Sequence, residues 1–79
     1  MPTAEPADST LAAAIRRLRE QRGMSQEELA QAAKLSVGSF ARIERAQANP
    51  AWTTVKRIAR ALGLSAAELA AQAERAGDQ

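Results

Sequence analysis

Ser25-Gln26-Glu27-Glu28-Leu29-Ala30-Gln31-Ala32-Ala33-Lys34-Leu35-Ser36-Val37-Gly38-Ser39-Phe40-Ala41-Arg42-Ile43-Glu44-Arg45 is the stretch on which the fold turns. Ser25 and Glu28 have capping-box spacing, with the serine side chain placed to accept from the third amide and the glutamate to reach back. Leu29, Ala30 and Ala33 then give a helix its inner stripe. Lys34-Leu35-Ser36 is too short for anything but a tight break, and Ser36 is placed to cap a second helix through about Arg45. Phe40 and Ile43 are the inward pair of that helix. Ala30 lies where the two helices must pass closely, so a small side chain is needed there. Two helices joined by such a break meet at a steep angle and leave the outer face of the second one protruding.

The flanks continue the helical pattern. Before it, Leu11, Ile15 and Leu18 recur along one face of a helix over about 9–21, capped by Asp8 or Ser9 and stopped by Gly23. After it, residues 47–50 form a loop in which Pro50 keeps Asn49 out of the helical region. Val55, Ile58, Ala59 and Leu62 mark a fourth helix over about 52–62, ended by Gly63. Ser65 and Glu68 form a second capping box that opens a fifth helix, fading near Gly77. The expectation is an all-α fold, a compact bundle of about five helices. Residues 1–8 read as a disordered N-terminal arm, 9–72 as the folded domain with its paired-helix core at 26–45, and 73–79 as a frayed tail.

Composition narrows the chemistry. The chain of 79 residues has neither cysteine nor histidine, which removes disulfides, zinc fingers, thiol catalysis and imidazole acid–base chemistry. Serines and carboxylates fall at caps and on surfaces, not in a nucleophile–base arrangement, so no enzyme and no cofactor is expected. Apolar runs are too short to span a bilayer and nothing resembles a signal peptide, so a cytoplasmic location is expected. The net charge of +2 hides an asymmetry: ten basic residues against four acids between residues 9 and 63, with five acids and one arginine at the two ends. A basic middle suits a polyanionic partner, although a solvated mixed-charge surface would look similar.

The run Leu11-Ala-Ala-Ala-Ile-Arg-Arg-Leu-Arg-Glu-Gln-Arg-Gly-Met-Ser-Gln-Glu-Glu-Leu-Ala30 resembles the opening of the Cro/CI-type helix-turn-helix (XRE) family. Ile43-Glu44-Arg45, Asn49-Pro50 and Ile58-Ala59-Arg60-Ala61-Leu62-Gly63 are similar to the rest of that domain in order and spacing, so the resemblance covers about 11–69. It implies a lambda-repressor-like DNA-binding domain and a repressor-type transcriptional regulator of a prokaryote or phage, acting on double-stranded DNA at the nucleoid. The helix around 36–45 would enter the major groove. Gln26 would touch a phosphate at the start of the second helix. Ser36, Val37, Gly38 and Ser39 would approach base edges and backbone, and Arg42 would make a bidentate contact to guanine. Arg45, Gln47 and Asn49 would hold phosphates. Arg19 and Glu44 match a buried structural ion pair between the first and third helices.

The chain departs from the family at Lys34 and Ala46, where glycine is usual, and at Ala51, where serine often caps the fourth helix. Val37, Gly38 and Ala41 offer no side-chain hydrogen bonds, which leaves direct readout to Ser36, Ser39 and Arg42. Val37 could pack on a thymine methyl group, Gly38 permits close backbone approach, and DNA shape would supply part of the specificity. Phe40 reads as core rather than a base-stacking aromatic, and Trp52 as a staple on the core or a rim or dimer contact. Arg16 and Arg17 read as solvated, while Lys56, Arg57 and Arg60 reach phosphate only if the fourth helix faces the backbone. Leu64 and Leu69 either close the core or form the interface of a homodimer, since relatives bind two half-sites. The alternative reading is a protein-interaction module whose exposed apolar helix binds a partner protein.

Overall fold

In the computed structural model, which describes residues 8–77, the chain forms α1 (Ser9–Gln21), α2 (Gln26–Ala32), α3 (Val37–Glu44), α4 (Trp52–Ala61) and α5 (Ala66–Gly77). Each start has a local cause. Asp8 caps α1, its Oδ1 accepting from the amides of Thr10 and Leu11 at 2.9 and 3.2 Å. Ser25 and Glu28 close a reciprocal capping box on α2, at 3.0 Å from the Glu28 amide and 2.9 Å from the Ser25 amide. Ser65 and Glu68 do the same for α5. Ala51 holds the extended N-cap backbone of α4 with no side chain to complete it.

The ends of α1 to α4 share one device. Two paired bonds, such as Leu35 N to Ala30 O and Lys34 N to Gln31 O after α2, satisfy the last carbonyls. The residue that turns the chain is left-handed in every case: Gly23, Lys34, Ala46 and Gly63. Glycine takes that conformation freely, but Lys34 (φ +60°) and Ala46 (φ +56°) do not, and each side chain costs about 1 kcal/mol there. Both strained positions flank α3.

The core is built from the inner stripes of all five helices. Ile15, Leu29, Phe40, Ile58 and Leu69 are fully buried, with Leu18, Ala30, Ala33, Ile43, Ala59 and Leu62 around them. Burying each of the Leu, Ile and Phe side chains among them stabilises by about 1.5–3 kcal/mol. α1 packs along α5, α2 packs on α4, and α3 rests on α1 and α2, with its other face exposed.

Two expectations change. Residues 73–77 continue α5 instead of fraying, because Ala73 is buried and the alanine-rich run favours helix. Leu69 is wholly inside the monomer, so it is not available to a dimer interface; Leu64 is half-buried against the same core. The arm expected at 1–8 lies outside the described residues apart from Asp8, which belongs to the fold, and 78–79 of the expected tail lie outside them as well.

Candidate nucleic-acid interface

The protruding face belongs to α3, and a buried polar cluster holds it in place. Glu44, on the last turn of α3, accepts from Arg19 Nε at 2.7 Å and Nη2 at 3.2 Å, and from Gln26 Nε2 at 2.9 Å. Arg19 spends its remaining Nη1 donor on the Met24 carbonyl at 2.8 Å. The side chains of Arg19 and Glu44 are only 12% and 2% exposed. The hydrogen bond that Arg19 donates to Glu44 raises the Arg19 pKa against the opposing effect of burial. The Arg19–Glu44 pair therefore ties α1, the α1–α2 turn, the start of α2 and the end of α3 together. Such a charge-assisted, bidentate arrangement is strong and directional. Gln26, expected at a phosphate, directs its side-chain amide to Glu44 Oε1, the same oxygen that Arg19 Nη2 reaches.

Along the outward face, Val37 is 46% exposed, and Gly38, Ser39 and Arg42 are exposed while Ala41 is half-buried. Ser36 caps the helix, accepting from the Ser39 amide at 3.1 Å and donating to Ser39 Oγ at 2.9 Å. The two serine hydroxyls are thus engaged with each other. The Arg42 guanidinium makes no hydrogen bond or ion pair among the described residues, and Arg42 lines an open cleft with Ser39, Ala48, Asn49, Pro50 and Thr54. Arg45 and Gln47 are exposed just past the end of α3.

Asn49, expected on phosphate, has a second employment. Its Oδ1 accepts from the Asp8 amide at 2.9 Å, tying the loop after α3 to the start of α1. The Asp8 carboxyl is held below its usual range by the Thr10 hydroxyl and the Leu11 amide. Glu28 and Glu68 are lowered by the backbone amides of their capping serines.

Two contacts escaped sequence reasoning. Arg22 Nε donates to the Leu62 carbonyl at 2.7 Å and Nη1 to that of Leu18 at 3.3 Å, so one guanidinium serves the C-termini of α4 and α1. Arg17, read as solvated, donates to Gln72 Oε1 at 2.8 Å across α1 and α5. No local spacing signals either, since both partners lie tens of residues away. Among the described residues there is no group of three or more His, Cys, Asp or Glu placed to hold a metal ion, and no helix long and apolar enough to cross a membrane.

Comparison with known proteins gives concordant matches. A family model described as a helix-turn-helix domain matches residues 10–72. The HTH-type transcriptional regulator DdrOP3 of Deinococcus deserti is 34% identical over 65 residues, 82% of this chain and 50% of the relative. The chain thus spans about half the length of that curated relative. Among solved structures, the clp gene regulator ClgR of Corynebacterium glutamicum superposes with a TM-score of 0.82 at 28% identity, over 94% of this chain and 78% of that one. The restriction-modification controller protein C.AhdI of Aeromonas hydrophila gives 0.75 at 31% identity, over 77% and 92%.

Proposed function

Since the chain belongs to the helix-turn-helix domain family, we propose that it is a sequence-specific transcriptional regulator of repressor type that lays α3 in the major groove of double-stranded DNA. The observation that carries this reading is the outer face of α3, protruding and locked by the Arg19–Glu44–Gln26 cluster, with the Arg42 guanidinium unengaged among the described residues. A guanidinium there meets O6 and N7 of guanine in a fork of matching geometry. Val37 and Gly38 meet the groove beside it. Arg45 and Gln47 contact phosphate and fix register. Gln26 and Asn49 act mainly as positioning residues. The reading has no catalytic step and no cofactor, and its setting is the cytoplasm.

The acting unit is a homodimer, in which two copies of α3 fall about one DNA turn (~34 Å) apart. With Leu69 inside the core, the dimer contact falls to Leu64 and to Trp52, which is 58% exposed beside a groove lined by Leu11, Val55, Ala70 and Ala73.

Selection of bound fragments from random duplex DNA tests the proposal. A palindromic product is expected. Arg42→Ala should weaken binding to it by about 1–3 kcal/mol and relax preference at one base pair. Log affinity should fall steeply and linearly with log salt. If no duplex is enriched even at low salt, DNA binding is wrong. The apolar character of Val37, Gly38 and Ala41 would then favour the protein-interaction module.

A further inference from the structure

Gly38 occupies the first turn of α3 without a reason internal to the chain. Its φ lies outside the left-handed region that Gly23 and Gly63 require. A Cβ built on it would meet nothing within 4 Å. Glycine in a helix is destabilising relative to alanine, and here no packing contact offsets that. Val37 beside it holds an isopropyl group 46% exposed, although a helix start normally presents polar side chains. The capping hydroxyl next to them is already engaged: Ser36 Oγ donates to Ser39 Oγ at 2.9 Å and accepts from the Ser39 amide at 3.1 Å. Val37 lines a shallow depression with Ala30, Gln31 and Leu35 of the neighbouring elements, and Gly38 next to it leaves the backbone bare. Arg42 lies one turn beyond Gly38.

A polar base edge set against Val37 and Gly38 would lose water and gain no hydrogen-bond partner from either side chain. An apolar group would lose nothing. Among the unmodified bases only thymine presents such a group in the major groove, its C5-methyl. We propose that Val37 and Gly38 form a notch that seats the 5-methyl group of a thymine, with Gly38 the residue that lets the base edge reach the helix backbone. The inference rests on the DNA-binding reading above and assigns the specificity of that site. Val37 and Arg42 are five residues apart, about 7.5 Å along the axis. At ~3.4 Å per base pair, the thymine falls within about two base pairs of the base that Arg42 contacts.

The test uses the full chain and the duplex enriched by selection, with thymines near the Arg42-dependent base pair replaced singly by uracil. One replacement should weaken parent binding about three- to fivefold, the effect of removing one buried methyl group. Val37→Ala should lose a similar factor and become indifferent to that replacement, as expected if the two groups touch. Gly38→Ala should raise Tm yet weaken DNA binding at least about tenfold, a pairing that a purely structural glycine would not give. The inference is overturned if no uracil replacement matters, if Val37→Ala keeps the parent's sensitivity, or if Gly38→Ala binds as the parent does. Those results would leave DNA binding itself intact, whereas failure to enrich any duplex overturns both readings together.

Discussion

Replacing Glu44 with alanine removes the acceptor on which hydrogen bonds from two other helices converge. Arg19 loses contacts of 2.7 and 3.2 Å and Gln26 one of 2.9 Å. Gln26 is half-buried and can turn toward water, so its loss is small. Arg19 is different: its side chain is 12% exposed and keeps only the Met24 carbonyl. Breaking a buried pair from one side costs about 3–5 kcal/mol, and the residual exposure of Arg19 puts this case near the lower end, about 3 kcal/mol. A domain of this length has a total stability of roughly 4–12 kcal/mol, so a quarter to three-quarters would be lost. Urea unfolding followed by far-UV circular dichroism measures it. With m near ~1 kcal/mol/M for so small a domain, the midpoint should fall by about 3 M, or the protein should be unfolded without urea. Replacing both partners by apolar residues, Arg19→Met with Glu44→Leu, removes both charges and should be less destabilising than Glu44→Ala alone. The reasoning fails if Glu44→Ala lies within about 1 kcal/mol of the parent. It fails equally if the double variant is as unstable as the two single losses added.

The other predictions concern caps and charge. Ala51 already has N-cap backbone geometry (φ −63°, ψ 157°) without a side-chain bond, so Ala51→Ser should stabilise by about 0.5–2 kcal/mol. Thermal unfolding should show this as a rise of several degrees, and an unchanged Tm would mean the α4 terminus is satisfied by other means. Asp8, Glu28 and Glu68 have carboxyl pKa values lowered by hydrogen bonds made in the fold. A depressed folded pKa gives stability that is present above the unfolded pKa and lost as pH falls through the folded one, so Tm should decline below about pH 5. Glu28→Gln with Glu68→Gln keeps an acceptor and removes the titration, and the Tm of that variant should fall less steeply with acid. Parallel curves would sink the assignment.

What was legible in the sequence was local. Ser25 with Glu28 and Ser65 with Glu68 announce helix starts because the capping box is made within four residues. The stripe Val55, Ile58, Ala59 and Leu62 announces its inner face by helical period alone. Lys34 and Ala46 were readable as departures from a family pattern, and both adopt the left-handed turn expected of glycine. The Arg19–Glu44 pair came from that resemblance and not from spacing, since 25 residues separate them. What was not legible depends on closure of the whole chain. Nothing near Gln26 in sequence says that its amide meets Glu44 18 positions later, and nothing near Asn49 points to Asp8, 41 positions earlier. Arg22 and Leu62 are 40 apart. Leu69 could be assigned to a surface or a core only once α5 was seen docked along α1. Polar side chains at the interface were the least readable, because the same amide or carbonyl serves a nucleic acid or a neighbouring helix equally well.

α3 is eight residues long, about 12 Å, which at ~3.4 Å per base pair covers roughly three or four base pairs. Counted as information, four fully read base pairs carry about eight bits, because each distinguishes among four possibilities. Such a word recurs by chance about every 256 positions, or roughly 4,000 times in a genome of ~10⁶ sites. Two copies reading four pairs each raise this to about sixteen bits, and chance matches fall to roughly fifteen in the same genome. One guanidinium and one apolar notch, as proposed, would read fewer letters than four. The brevity of the helix thus makes the number of helices laid down, more than the vocabulary of any one, the quantity that sets how narrowly an address can be written.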